Sequence, residues 1–347
     1  MEAGAAILRA GGSAVEAAVA AVRVMEEDPL YNAGIGSVLT ASGTHELDAA
    51  VMRGSDLQAG AVAAVRHIRN PVDLARLVLD RSPHVLLISE GAEVFAQANG
   101  VPLVDNAIFT TPARLKIHNE LMARAAKDQA PAAAKGDKGG VPPQPKMVLD
   151  HSGEAAVASD PADSSSPISS AAVAAASSPV AAAAAAAAAS SPSSSSVLCE
   201  GTLREQKYGT VGAVCLDLSG CLASAISTGG MSLKSFGRVG DSPLIGCGFY
   251  ANKHVAVACT GNGEAFMRAA TGKDVACLVE YKGLSVTQAA AQAMRNGEVA
   301  LGKDLFNGGL IAMDAQGNVT MPYNSLGMYR GTCSSEDPEL KVAVWAD

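Results

Sequence analysis

The chain has 347 residues, 48% hydrophobic and 17% charged, which is enough to build a sizeable core in one large domain or two. A net charge of −8, with no long basic run, excludes nucleic acid as the main partner, because phosphate binding needs a basic surface. No window is long and apolar enough to span a bilayer, and Glu2 and Arg9 sit where a secretory leader would need a basic start followed by an apolar run.

Along the chain, Ser13–Glu27 place apolar residues at helical spacing, with Ser13 as N-cap and Glu16 three positions on, and Pro29 ends that helix. YNAGIGSVLT (31–40) is expected to turn into a strand, and HELDAAVM (45–52) to form a second one after a Ser42-Gly43 turn. NPVDLARLVLDRS (70–82) reads as a helix with Asn70 at its cap and Pro71 at its first position. HVLLIS (84–89) reads as a buried strand, and GAEVFAQANG (91–100) as a helix stopped by Gly100. From about Ala130 to Leu198, Ala, Ser, Pro and Gly dominate and large apolar residues nearly vanish. Such a tract cannot bury enough surface to offset its ordering entropy, so it is expected to be a disordered linker.

Beyond it, TVGAVCLD (210–217) and LASAIS (222–227) form an expected hairpin around Ser219-Gly220, and HVAVACTG (254–261) a further strand. GEAFMRAAT, KDVACLVEYKG and SVTQAAAQAMRNG look helical, and GGLIAMD with NVTMPYN forms a last hairpin around Gln316-Gly317. Strands from both sides of the tract must complete one sheet, because neither part has enough to close a core alone. The seven cysteines contain no CxxC pair, and an odd count at irregular spacing fits reduced thiols in a cytoplasmic protein.

The common catalytic signatures are absent: no GxSxG elbow, HExxH, phosphate loop or dinucleotide glycine pattern. The six histidines are scattered and read as structural or exposed. What remains is a set of polar residues in Gly-rich turns: Asn32, Thr210, Thr228, Arg238, Asp241, Thr260, Gly261 and Gly263. Each alone has a bland structural reading. Together they describe a chemistry. A Thr hydroxyl is a poor nucleophile and needs a base. A Thr at a free N-terminus supplies its own, since an α-amine titrates at roughly 7.7–8.0. Thr210 begins a strand just where the low-complexity tract ends, and Gly209 before it is suited to the strained bend that opens a carbonyl to attack. Thr260 and the Gly261 N–H suit an oxyanion, Arg238 a carboxylate and Asp241 an ammonium.

These motifs resemble the plant-type asparaginase and isoaspartyl peptidase family of N-terminal-nucleophile hydrolases, close to its bacterial and plant members. The resemblance runs through EEDPLYNAGIGSVLT, HELDAAVM, GTVGAVCLDLSG, STGGM, GRVGDSPLIGCG, CTGNGE and GGLIAMD, and covers nearly all of the chain outside the low-complexity tract. It implies an α+β fold, a four-layer αββα sandwich. It also implies a precursor that cuts itself between Gly209 and Thr210, and a dimer of α/β heterodimers. Residues 1–129 would be the α part, 130–209 the linker and 210–347 the β part. Carried over by position, Thr210 is the nucleophile, Thr228 supports it, Thr260 and Gly261 form the oxyanion hole, and Asn32 lies beside the nucleophile. Arg238, Asp241 and Gly263 hold the α-carboxylate and α-amine of the substrate.

The resemblance implies no cofactor for the chemistry. It does imply a structural sodium held by the backbone carbonyls of Met25, Glu26, Asp28, Tyr31, Ala33 and Ile35. Members also begin with a strand that ends in a His-Gly-Gly-Ala-Gly-like loop, and the present 347 residues start at or just before the helix that follows it. The implied activity is hydrolysis of β-aspartyl dipeptides and L-asparagine, releasing L-aspartate. Glycosylasparaginase, a threonine protease and a non-maturing paralogue acting as an inactive or partner subunit are the competing readings.

Overall fold

The computed structural model describes residues 1–128, 209–335, 337 and 339–345. The expected linker, apart from Gly209, therefore lies outside the described residues.

The first half opens with two helices, α1 (Glu2–Arg9) and α2 (Ala14–Glu27). Ser13 starts α2 with a full capping box: its hydroxyl accepts the Glu16 N–H, and the Glu16 carboxylate accepts the Ser13 N–H. Strands β1 (Leu47–Arg53) and β2 (Ala59–Val65), helix α3 (Pro71–Arg81), the short strand β3 (Leu86–Ile88) and helices α4 (Ser89–Ala98) and α5 (Pro112–Asp128) follow. Asn70 precedes α3, yet its side chain makes no cap bond. Glu26 of α2 accepts the Val72 N–H instead, tying the two helices together.

The second half supplies β4 (Thr210–Leu216), β5 (Leu222–Thr228), β6 (Phe249–Ala251), β7 (Val255–Gly261), three helices α6 (Gly263–Ala269), α7 (Thr271–Lys282) and α8 (Val286–Leu301), then β8 (Gly308–Asp314) and β9 (Val319–Thr320). A small ribbon of β10 (Arg330–Thr332) and β11 (Lys341–Ala343) closes the chain.

The strands form a five-stranded sheet, β3-β2-β1-β5-β4, and a four-stranded sheet, β6-β7-β8-β9. The two pack face to face through β4, β5 and β1 against β6, β7 and β8. Helices α2 and α3 cover the outer face of the first sheet, and α7 and α8 that of the second. This is the four-layer αββα sandwich. Its central seam joins β1 to β5 in antiparallel register, so residues from before and after the low-complexity tract share one sheet. Two apolar clusters fill it, one under α2 and α3 and the other between the sheets and under α7 and α8.

Small side chains let the layers approach closely. A Cβ on Gly60 of β2 would sit 2.2 Å from the Ala75 carbonyl oxygen of α3, so the helix rests directly on the strand backbone.

Two expectations fail. Residues 31–40 form turns and extended chain rather than a strand, because their backbone groups are taken by the returning loop: the Ile35 N–H meets the Glu26 carbonyl and the Gly36 N–H that of Phe109. The HVLLIS strand shrinks to Leu86–Ile88 and is not buried. It lies parallel to β2 at the sheet edge, with Ile88 58% exposed.

Candidate active site

The strand register sets the site. Thr210, the first residue of β4, stands opposite Thr228, the last residue of β5, and Thr228 in turn stands opposite Asp48 of β1. Thr228 is 2% exposed and its hydroxyl is a hub. It receives the Thr210 hydroxyl at 3.3 Å and the Gly230 N–H at 2.9 Å, and donates to the Gly209 carbonyl at 3.3 Å. The Thr210 hydroxyl and the Gly209 carbonyl therefore share one hydroxyl, that of Thr228. The two longer contacts are of the kind that tighten only as reaction proceeds.

Asn32, 5% exposed, lies behind this hub. Its Nδ2 donates to the Gly230 carbonyl at 2.7 Å and its Oδ1 accepts the Val38 N–H at 2.9 Å. Both polar groups are spent on backbone, so Asn32 holds the loops around Thr228 in place. Its Cβ lies 3.2 Å from the Cβ position of Gly209, which a larger residue would crowd.

A shallow open cleft includes Thr210 in its wall. Gly209, Thr210, Thr228, Arg238, Asp241, Gly261 and Gly263 line it. Gly230, Met231, Gly240 and Ser242 complete the lining. The structure thus gathers Thr210, Thr228, Arg238, Asp241, Gly261 and Gly263 from four separate segments. Thr260 is the penultimate residue of β7, which ends at Gly261, and neither Thr260 nor Asn32 is part of the lining. Gly261 has φ +138°, and a Cβ there would come within 2.3 Å of the Asn307 carbonyl, so only glycine suits that turn.

Arg238 is anchored by Glu264: Nε donates to Oε1 at 2.9 Å and Nη2 to Oε2 at 2.7 Å. Burial opposes its charge, but the bonds and the nearby carboxylates of Glu264, Asp48 and Asp241 outweigh it and raise its pKa. Asp241 is buried, and its Oδ2 has no partner. Burial pushes its carboxyl up to about 7, with Arg238 pulling the other way. Lys234 is buried nearby. Its Nζ donates to the Glu46 carbonyl at 2.8 Å, and burial lowers its pKa.

Lys234, Glu46 and Glu264 escaped the sequence reading. Nothing in sequence links Arg238 to a partner 26 residues on, although Glu264 directly follows Gly263. The histidines lie elsewhere: His45 is buried between Ser37 and Thr110, and His67 pairs with Glu93.

The loop after α2 folds back on that helix. The Asp28 N–H meets the Met25 carbonyl at 3.4 Å, the Tyr31 N–H that of Asp28 at 3.2 Å, and the Ile35 N–H that of Glu26 at 2.7 Å. A Cβ on Gly34 would lie 2.3 Å from the Glu26 carbonyl oxygen. Each of these carbonyls keeps a second lone pair, at the negative pole of α2. The loop therefore fits a hard monovalent cation bound by backbone oxygens. The Glu26 side chain is not offered to it: burial pushes this carboxyl up to about 8, and Ser227 and Val72 hold its Oε1.

A family model described as asparaginase matches residues 1–342. The chain belongs to the asparaginase family. It is 45% identical over 331 residues to the isoaspartyl peptidase of Escherichia coli, an alignment spanning 95% of this chain and 82% of that one. It is 36% identical to an isoaspartyl peptidase/L-asparaginase of Mus musculus, over 93% of this chain and 76% of the other. With the plant-type L-asparaginase of Pyrococcus abyssi it shares 33% identity over 91% and 82% of the two chains. The αββα sandwich is accordingly the N-terminal-nucleophile hydrolase architecture expected for an asparaginase-family chain. Among the described residues no helix is long and apolar enough to cross a membrane.

Proposed function

We propose that the chain is a self-processing threonine amidohydrolase that cleaves β-aspartyl dipeptides and L-asparagine and releases L-aspartate. The observation that carries this reading is one cleft lined by Thr210 together with Arg238 and Asp241.

In the cut, Thr210 Oγ attacks the Gly209 carbonyl carbon. The nucleophile's proton passes toward Thr228, whose own hydroxyl points at the Gly209 oxygen. That proton is passed on to the Thr210 nitrogen as the C–N bond breaks, the acyl group stays on Thr210 Oγ as an ester, and water hydrolyses it. Gly209 leaves as a carboxylate and Thr210 gains a free α-amine. That amine is the base of the second reaction. Thr210 Oγ attacks the substrate's side-chain carbonyl, with the oxyanion turned to Thr260 and Gly261. Ammonia or an amino acid departs, carrying the proton. Water then hydrolyses the β-aspartyl ester to aspartate. Arg238 and Asp241 hold the α-carboxylate and α-ammonium of the substrate throughout, and Gly263 leaves room for both.

Met25, Glu26, Asp28, Tyr31, Ala33 and Ile35 would hold sodium through their backbone carbonyls, stiffening the loop that carries Asn32. The mature molecule pairs as a dimer of α/β heterodimers in the cytoplasm. The free thiols of Cys215, Cys221, Cys247, Cys259, Cys277 and Cys333 support a reducing compartment. One experiment tests the function: the purified protein should run as two fragments on a denaturing gel and release aspartate from β-aspartyl-leucine. A single uncut, inactive chain would overturn it.

A further inference from the structure

Arg238 does not offer a bare guanidinium to the cleft. Its pair with Glu264 is fork to fork, and the two side chains are only 17% and 28% exposed. The pair occupies the edge made by Nε and Nη2. Among the described residues no hydrogen bond engages the end edge, Nη1 with the second proton of Nη2. That edge lies among cleft-lining glycines: a Cβ on Gly240 would come within 2.8 Å of Nη1, and one on Gly230 within 3.3 Å. Glu264 thus decides which edge of Arg238 a ligand meets.

The same pair sets the charge of the pocket. A Cβ on Gly263 would lie 2.8 Å from Arg238 Nη2 and 2.9 Å from Asp241 Oδ1, so the arginine tip and the Asp241 carboxyl flank one glycine. With Arg238, Asp241 and Glu264 ionised, the head-group pocket holds one positive and two negative charges, and the buried Lys234, whose Nζ would lie 3.0 Å from a Cβ on Gly230, stands beside it facing the carboxylates of Asp48 and Glu46. A carboxylate entering alone adds a third negative charge. A head group that also brings an ammonium places a positive charge against Asp241, whose Oδ2 has no hydrogen-bond partner among the described residues.

We infer that Glu264 is a specificity-determining positioning residue: it aims the end edge of Arg238 into the cleft and cancels its charge. The pocket then accepts a substrate with both an α-carboxylate and an α-ammonium and rejects one with the carboxylate alone. This rests on the functional reading above and adds to it the basis of the amino-acid requirement.

The test compares asparagine with succinamate, the same amide lacking the α-amino group, on the matured enzyme. The parent should hydrolyse asparagine and discriminate strongly in kcat/KM. Glu264→Gln leaves the Arg238 charge uncompensated. It should shrink that discrimination at least about tenfold, mainly by lowering KM for succinamate. Glu264→Asp keeps the charge but shortens the reach. It should preserve the discrimination and raise KM for both compounds severalfold. An E264Q enzyme with the parent's discrimination, or an E264D enzyme that loses it, overturns the inference while leaving the function standing. If neither variant matures where the parent does, Glu264 belongs to the cutting reaction and the specificity role is overturned. A parent that matures yet hydrolyses neither compound overturns the functional reading and this inference with it.

Discussion

Gly263 is where a single methyl group tests the head-group pocket most sharply. It opens α6, where alanine would ordinarily favour the helix by about 1 kcal/mol. The added Cβ, however, would come within 2.8 Å of Arg238 Nη2, 2.9 Å of Asp241 Oδ1 and 3.2 Å of the Asp241 amide nitrogen. The two shortest contacts must open by roughly 0.6 Å to reach ordinary van der Waals distance. Both are tips of side chains, so they can yield without unfolding anything. They are also the groups assigned to the substrate's carboxylate and ammonium. Misplacing a bound reactant by about 1 Å costs on the order of 100-fold, so G263A should lose about 10- to 100-fold in kcat/KM, or about 1.4–2.7 kcal/mol. Most of this should appear in KM, with self-cutting intact and the melting temperature nearly unchanged. Steady-state kinetics of the matured variant on β-aspartyl-leucine measures it. A KM within twofold of the parent's would refute the assignment of Arg238 and Asp241 to the head group.

N-terminal sequencing of the mature protein should find a fragment starting TVGAVCLD, and Thr210→Ala should remain one chain; any other start removes Thr210 from the mechanism. Arg238→Lys should lower kcat/KM about tenfold to several hundredfold, because an ammonium cannot make two parallel bonds to a carboxylate or keep the fork to Glu264, and an unchanged KM would reduce Arg238 to a structural ion-pair partner. With Asp241 lifted to about 7 by burial, only the ionised form binds an ammonium, so kcat/KM for asparagine should rise with pH through about 7; the same limb persisting in Asp241→Asn would assign it to another group. Deleting residues 155–196 should leave maturation and hydrolysis nearly intact, since loop closure changes by only about 0.6 kcal/mol per halving of length, and failure to mature would give that Ala/Ser tract a role its composition does not reveal.

Much of this was legible before any coordinates. The strand that starts at Thr210, the Ser13 capping box and the helices after Gly263 all rest on local periodicity and end signals, and each forms where the sequence places it. The segments that failed depend on distant partners. The chain after Pro29 looks like a strand until the Glu26 and Phe109 carbonyls capture its amides. HVLLIS looks buried because it is apolar, but its place at the sheet edge is fixed by β2 and not by its own residues. At the site, residue types that carry chemistry in Gly-rich turns were visible. Glu264, Lys234 and Glu46 were not, because a charged side chain far along the chain looks like any solvated surface residue until the fold buries it.

The seam between β1 and β5 gives the proposed scission an unusual consequence. Their six paired positions, from Asp48–Thr228 to Arg53–Ala223, are the middle of a sheet and not a rim. Once the chain is cut, the two polypeptides are stitched together by the innermost rungs of one ladder, with no covalent link behind them. The uncut chain can refold as a unimolecular event at any dilution. The cut molecule, once pulled apart, must find its other half again, so its recovery depends on concentration and competes with aggregation of bare strands. Cutting thereby converts a fold that equilibrium can rebuild into one that persists because it rarely opens.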